Sequence, residues 1–198
     1  PSLTIAQKLE KTAIRAALAA SDVLMKGFGK QFDVREKRGQ GLVTDFDIRA
    51  EKTALKILCK SFPEFDVIAE EDSYKRGLKK TTAAKVSSAE GAWIIDPLDG
   101  TTNFVHGFPM FCVSIACEYR GHLQTGVIYH PVFKDLYVAS RGRGATLNGR
   151  PIHVSRRPKL RQACLTTGFT YRKDRWLKAE MRAFESMSKL ARAVRRPG

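Results

Sequence analysis

Apolar positions near the start of the chain recur at helical spacing: Ile5, Leu9, Ala13, Ala16, Ala20, Val23 or Leu24, and Phe28. Thr4, followed three residues later by Gln7, is a capping-box start, and Gly27 and Gly29 mark the end. The alanine-rich stripe implies close packing, with no chemistry. A basic, glycine-broken loop follows at Lys37-Arg38-Gly39-Gln40-Gly41. A second helix begins with Thr44 or Asp45 as its N-cap, buries Ile48, Leu55, Leu58 and Phe62, and stops before Pro63. Asp66 to Ala69 reads as a strand ending in Glu70, Glu71 and Asp72, and residues 73–90 as a polar, Lys-rich surface loop.

Beyond residue 90 the period changes. Met110 to Tyr119, Gln124 to His130 and Asp135 to Ser140 are β-rich runs with short turns, an antiparallel meander. Asn148-Gly149 suits a hairpin, and Ile152 to Val154 a further short strand. Pro158 reads as a boundary. Cys164 to Gly168 is then a strand, and Asp174 to Ala193 a helix with Leu177, Met181, Phe184, Met187 and Leu190 on one face. One strand and one helix cannot cover both their faces, so this second unit reads as unfinished. The pattern predicts an α+β fold: two N-terminal helices on a mostly antiparallel sheet, residues 1–157, then the start of an α/β unit, 158–198.

The most informative stretch is Trp93-Ile94-Ile95-Asp96-Pro97-Leu98-Asp99-Gly100-Thr101-Thr102-Asn103-Phe104. Trp93 to Ile95 reads as a buried strand that Pro97 should stop. Gly100 permits a tight turn or a close backbone approach, and Thr101 or Thr102 caps one helical turn that Gly107 ends. Asp96, Asp99 and a carbonyl such as that of Leu98 offer the hard oxygen ligands of Mg²⁺. Amides at Gly100 and Thr101 offer an anion seat beside them, helped by the helix dipole. A plain D-P-x-D-G turn is the competing reading; the buried strand before it and the Thr pair after it favour a metal–phosphate site. Glu70 would join the carboxylates if the two acid-ended strands are neighbours, and such a cluster needs a cation to offset its repulsion. Asp47 reads, on spacing alone, as a helix-start carboxylate facing the dipole.

Composition narrows the class. With 43% hydrophobic residues the chain can fill a sizeable core. Its longest apolar runs, such as Met110 to Cys117, are too short to cross a bilayer, and no signal-peptide core opens it, so a cytoplasmic protein is expected. Cys59, Cys112, Cys117 and Cys164 form no C-x-x-C pair and read as buried thiols, not as a disulfide or zinc framework. Of the formal charge of +15, residues 156–198 carry thirteen Lys/Arg against three acids, a net +10. That excess reads first as a solvated helix face, with RNA contact as the alternative. No histidine has metal-binding spacing, and no nucleophile motif is present.

The central stretch, with Ala69-Glu70-Glu71 and Val43-Thr44-Asp45-Phe46-Asp47 before it, resembles the inositol monophosphatase family. The resemblance runs from the first helix to Gly198, and the Thr-Thr-Asn-Phe-Val-His-Gly-Phe-Pro continuation is closer to inositol monophosphatases proper than to their nucleotide or fructose bisphosphatase cousins. It implies a layered αβαβα sandwich, usually a homodimer. The implied activity is hydrolysis of a phosphorylated polyol such as inositol 1-phosphate by metal-activated water, with two or three Mg²⁺ and inhibition by Li⁺. Glu70, Asp96, Asp99 and the Leu98 carbonyl would hold metal, and Glu70 and Thr101 would position and activate the water. Gly100 and Thr101 amides, with Asp99, would meet the substrate, Asp47 would support the water or Thr101, and Lys37 matches less securely as a substrate contact. Relatives acting on fructose 1,6-bisphosphate, nucleotide bisphosphates or histidinol phosphate are alternatives. Contact with RNA or the transcription machinery through 156–198 is another. The family's C-terminal half, with a further metal-binding Asp, is expected to be lacking, which would leave this chain weakly active or inactive.

Overall fold

The computed structural model describes residues 3–37, 41–69, 90–169 and 175–197. They fall into two compact units, one of Pro1–Val34 with Thr44–Ile152, the other of Arg35–Val43 with His153–Gly198.

The first unit begins with α1 (Ile5–Gly27), whose Thr4 and Gln7 cap each other as expected. Leu9, Ala13, Ala16, Ala17, Ala20 and Leu24 are fully buried, so the small-residue stripe is the packing face. Gly27 completes it: a Cβ there would lie about 2.5 Å from the Phe46 ring, so only glycine admits that contact. Helix α2 (Asp45–Ser61) packs beside α1 and contributes Ala50, Ala54 and Leu58 to the same core.

Beneath them lies a sheet whose described strands run in the order β3 (Asp66–Ala69), β4 (Gly91–Asp99), β5 (Cys112–Tyr119), β6 (His122–His130), β7 (Asp135–Ser140), β8 (Gly144–Leu147) and β9 (Arg150–Ile152). Only β3 and β4 pair in parallel; the others form the expected meander. Asn148 and Gly149, with φ of 49° and 77°, make the β8–β9 hairpin turn. Trp93, Ile95, Val113, Ile115 and Val127 are buried beneath the helices. Phe62 and Phe65 pack on Trp93, and Phe28, Phe32, Phe46, Phe104 and Phe111 form a second aromatic group. Glu10 on α1 bonds Ser140 of β7 and Arg143 of the following turn, tying helix to sheet.

The second unit holds a strand pair, β1 (Val34–Lys37) with β2 (Gly41–Thr44), and a parallel pair, β10 (Cys164–Thr166) with β11 (Ala193–Arg195). Parallel strands need a crossover, and α4 (Arg175–Leu190) supplies it. Sequence pattern missed β11, because three residues after a helix carry no period. Phe184 of α4 packs on Phe169, whose other neighbour is the Arg196 guanidinium.

The architecture is α+β, with two N-terminal helices on a mostly antiparallel sheet and an α/β unit after it. Other expectations fail locally. Cys117 is buried and Cys112 half-buried, but Cys59 and Cys164 are exposed, so the thiols are not uniformly interior. The loop expected at 73–90 lies outside the described residues except for Glu90. Among the described residues no helix is long and apolar enough to cross a membrane.

Candidate metal and phosphate site

Strand β4 does not stop at Pro97. It continues to Asp99, with Pro97 inside an irregular stretch of the ladder where a missing amide does no harm. Asp96 stands opposite Ser114 and Asp99 opposite Cys112, so three steps along β4 match two along β5. The extra residue is a β-bulge. Its consequence is chemical. In a regular strand, residues three apart point to opposite faces. Directly paired residues share a face, and Ser114 and Cys112 are two apart, so the bulge brings Asp96 and Asp99 to one face. That face is turned away from the helices, whose side receives Val113 and Ile115.

The field of both acids is felt at Cys112. Its thiol lies 3.7 Å from Asp99 Oδ2 and is pushed up to about 12, first by burial, then by the charges of Asp99 and Asp96. Asp96 Oδ1 accepts the Leu98 amide at 3.2 Å, an Asx turn that holds the carboxylate across the bulge. Leu98 itself is buried, and its carbonyl accepts the Thr101 hydroxyl at 3.1 Å.

Gly100 turns the chain with φ of 91°. A Cβ there would sit 2.9 Å from the Met110 carbonyl, so both conformation and space require glycine. This corrects the capping expectation: Gly100, not a threonine, is the N-cap of α3 (Thr101–Val105), which has no side-chain cap. At five residues α3 is little more than one turn, so its dipole adds little and any anion seat rests on individual amides.

Asp47 is fully buried, and the reading of it as a simple dipole partner is incomplete. Thr44, not Asp45, caps α2, and Asp47 Oδ2 accepts both the Thr44 amide at 2.9 Å and its hydroxyl at 2.5 Å. Asp47 Oδ1 accepts the Thr101 hydroxyl at 3.1 Å. Burial raises the Asp47 carboxyl above its ordinary value, while the bonds from Thr44 and Thr101 pull it back.

Glu70 lies outside the described residues. The premise for its inclusion does hold: β3 and β4 are neighbours in register, with Ala69 beside Ile95, one residue before Glu70 and Asp96 respectively. Lys37 closes β1, but its side chain is outside the described set. Among the described residues no three Asp, Glu, His or Cys side chains gather into a cation site. The donor chemistry present nonetheless suits a hard divalent ion: two same-face carboxylates beside a backbone carbonyl. Cys112 and Thr44 were the residues whose place in this site sequence reasoning missed. The Thr-x-x-Asp box could have pointed to Thr44, whereas Cys112 depends on strand register.

The family model for the inositol monophosphatase family matches residues 5–198. The chain is 39% identical to a Pseudomonas aeruginosa protein named Nus factor SuhB, over 97% of this chain and 70% of that one. It is likewise 39% identical to an inositol monophosphatase of Mesembryanthemum crystallinum, over 83% of this chain and 58% of that one. The crystal structure of the Bartonella henselae extragenic suppressor protein suhB superposes with a TM-score of 0.82 at 31% identity, covering 96% of this chain and 70% of that one. An absent C-terminal half is therefore not supported, since the match to the Pseudomonas relative spans 70% of its length. By a match running through almost all of its sequence, the chain belongs to the inositol monophosphatase family.

Proposed function

We propose that the site hydrolyses a phosphate monoester of a small polyol, with inositol 1-phosphate as first candidate and Mg²⁺ as cofactor. The observation that carries this reading is the β4 bulge, which turns two carboxylates to one face directly before the Gly100 turn. Asp96, Asp99 and the Leu98 carbonyl would hold the cation, with Glu70 as a further ligand. When bound, the divalent ion supplies Lewis-acid polarisation of the phosphoryl group and makes water a better nucleophile at neutral pH. The Gly100 and Thr101 amides would meet phosphate oxygens. Thr101, donating its proton to Asp47, keeps lone pairs with which to orient the attacking water, and Glu70 would take that water's proton. Lys37 would add a positive charge near the substrate. No covalent phosphoenzyme is needed.

Phosphate release from a panel of inositol 1-phosphate, fructose 1,6-bisphosphate, nucleotide bisphosphate and histidinol phosphate tests the proposal. Release should require Mg²⁺, favour inositol 1-phosphate and fall with added Li⁺. Hydrolysis that persists in chelator would overturn it. The family's dimeric state and a cytoplasmic location accompany this reading as expectations.

A second reading has its own support. The second unit carries sixteen Lys/Arg against four acids, most of the chain's net +15, and one relative is named a Nus factor. Contact with RNA or a transcription complex through 156–198 would then weaken steeply with salt. A flat salt dependence contradicts it.

A further inference from the structure

Thr44 caps α2 but has no part in the reaction proposed above, yet its amide and hydroxyl make four hydrogen bonds beside Asp47. Its hydroxyl accepts the Phe46 amide at 3.1 Å and the Asp47 amide at 3.4 Å. A hydroxyl has two lone pairs and one proton. With both lone pairs occupied, the proton is directed to Asp47 Oδ2, 2.5 Å away, and the Thr44 amide donates to the same oxygen at 2.9 Å. Thr44 therefore occupies Oδ2 and leaves Oδ1 turned toward Thr101.

Thr101 Oγ1 faces two acceptors at equal distance, Asp47 Oδ1 and the Leu98 carbonyl, both at 3.1 Å. It has one proton to give. An ionised carboxylate is the stronger acceptor, provided its oxygen is held in place. We propose that Thr44 is a positioning residue: by pinning Asp47 it decides that Thr101 donates inward, leaving the Leu98 carbonyl and the Thr101 lone pairs for cation and water. This rests on the phosphatase reading above for its catalytic meaning, but its geometric content stands apart from activity.

The test compares Thr44→Gly with Thr44→Ser. Glycine is a good N-cap, so the glycine variant keeps α2 while deleting the hydroxyl. The three-bond coupling of the Thr101 hydroxyl proton to Hβ reports the rotamer about Cβ–Oγ1, which decides between the two acceptors, without any need for turnover. One rotamer is expected in the parent and Thr44→Ser, and averaging in Thr44→Gly. Under Mg²⁺, kcat should fall at least about tenfold in Thr44→Gly with KM within about twofold, because misplacing a group near the chemistry is costly. Thr44→Ser should recover most of the loss. In a Thr101→Val background the glycine substitution should slow the reaction less than about twofold, since residues acting as a unit are not additive. A single Thr101 rotamer in Thr44→Gly overturns the proposal, as does parental kcat with an averaged rotamer. Averaged Thr101 in a protein that hydrolyses no phosphate upholds the positioning and sinks the phosphatase reading instead.

Discussion

Asp47 and the Asp96–Asp99 pair are the carboxylates on which the proposed reaction draws, and the fold treats them differently. Asp47 is enclosed and meets three donors from Thr44 and Thr101. Its charge is offset by protein groups, at the cost of desolvation that raises its carboxyl. Asp96 and Asp99 share one face, half-buried and exposed respectively, and their joint negative field reaches Cys112. The first arrangement is a structural anion. The second concentrates charge that a cation would relieve. On the proposed function, burial and same-face gathering, rather than residue type, divide positioning from ligation.

The largest effect that tests this division is on turnover. Asp96→Asn keeps an oxygen for the Leu98 amide but removes the charge, so phosphate release should drop by about 10²–10³ or more while thermal unfolding shifts little. A parental rate would break the contrast from the functional side. Asp47→Ala should act on the fold as well as on turnover: kcat should fall at least as far as in Thr44→Gly, and the two Thr44 donors lose their buried acceptor, for a cost of about 1–3 kcal/mol in denaturant unfolding. An unchanged midpoint would show that the network holds nothing together.

A smaller effect comes from pH. Because the Asp47 carboxyl is raised in the fold, its ionisation costs stability. That contribution is favourable below the unfolded value of about 3.9 and is lost as pH rises through the raised folded value. Without divalent ions, the stability of the parent relative to Asp47→Asn should therefore decline over that window and then level. A difference that grows with pH would contradict burial as the cause. Smaller still, iodoacetamide at pH 8 should modify exposed Cys59 and Cys164 well before Cys112, whose thiol is held near 12.

Much of this was legible in residue order. The helical stripe of α1, the Thr4–Gln7 box, the meander and the Asn148-Gly149 turn are local patterns, and local patterns survive into the fold. What lies across strands did not show. Proline at 97 argues for a strand end, and only pairing with β5 reveals that the chain absorbs it in a bulge. That bulge alone makes an i, i+3 pair of acids into same-face neighbours. That Gly100, and neither Thr101 nor Thr102, is the cap was equally invisible, because the Thr101 hydroxyl is taken up by the Leu98 carbonyl and by Asp47, fifty-four residues earlier. The brief β11 depends on β10 and has no period of its own.

Calorimetric titration with Mg²⁺, comparing the parent with Asp96→Asn and Asp99→Asn, reaches the central matter without relying on catalysis. Saturable binding in the parent that weakens at least about tenfold in each variant is the predicted result. Equal affinity in all three proteins would mean that the β4 bulge gathers no cation site.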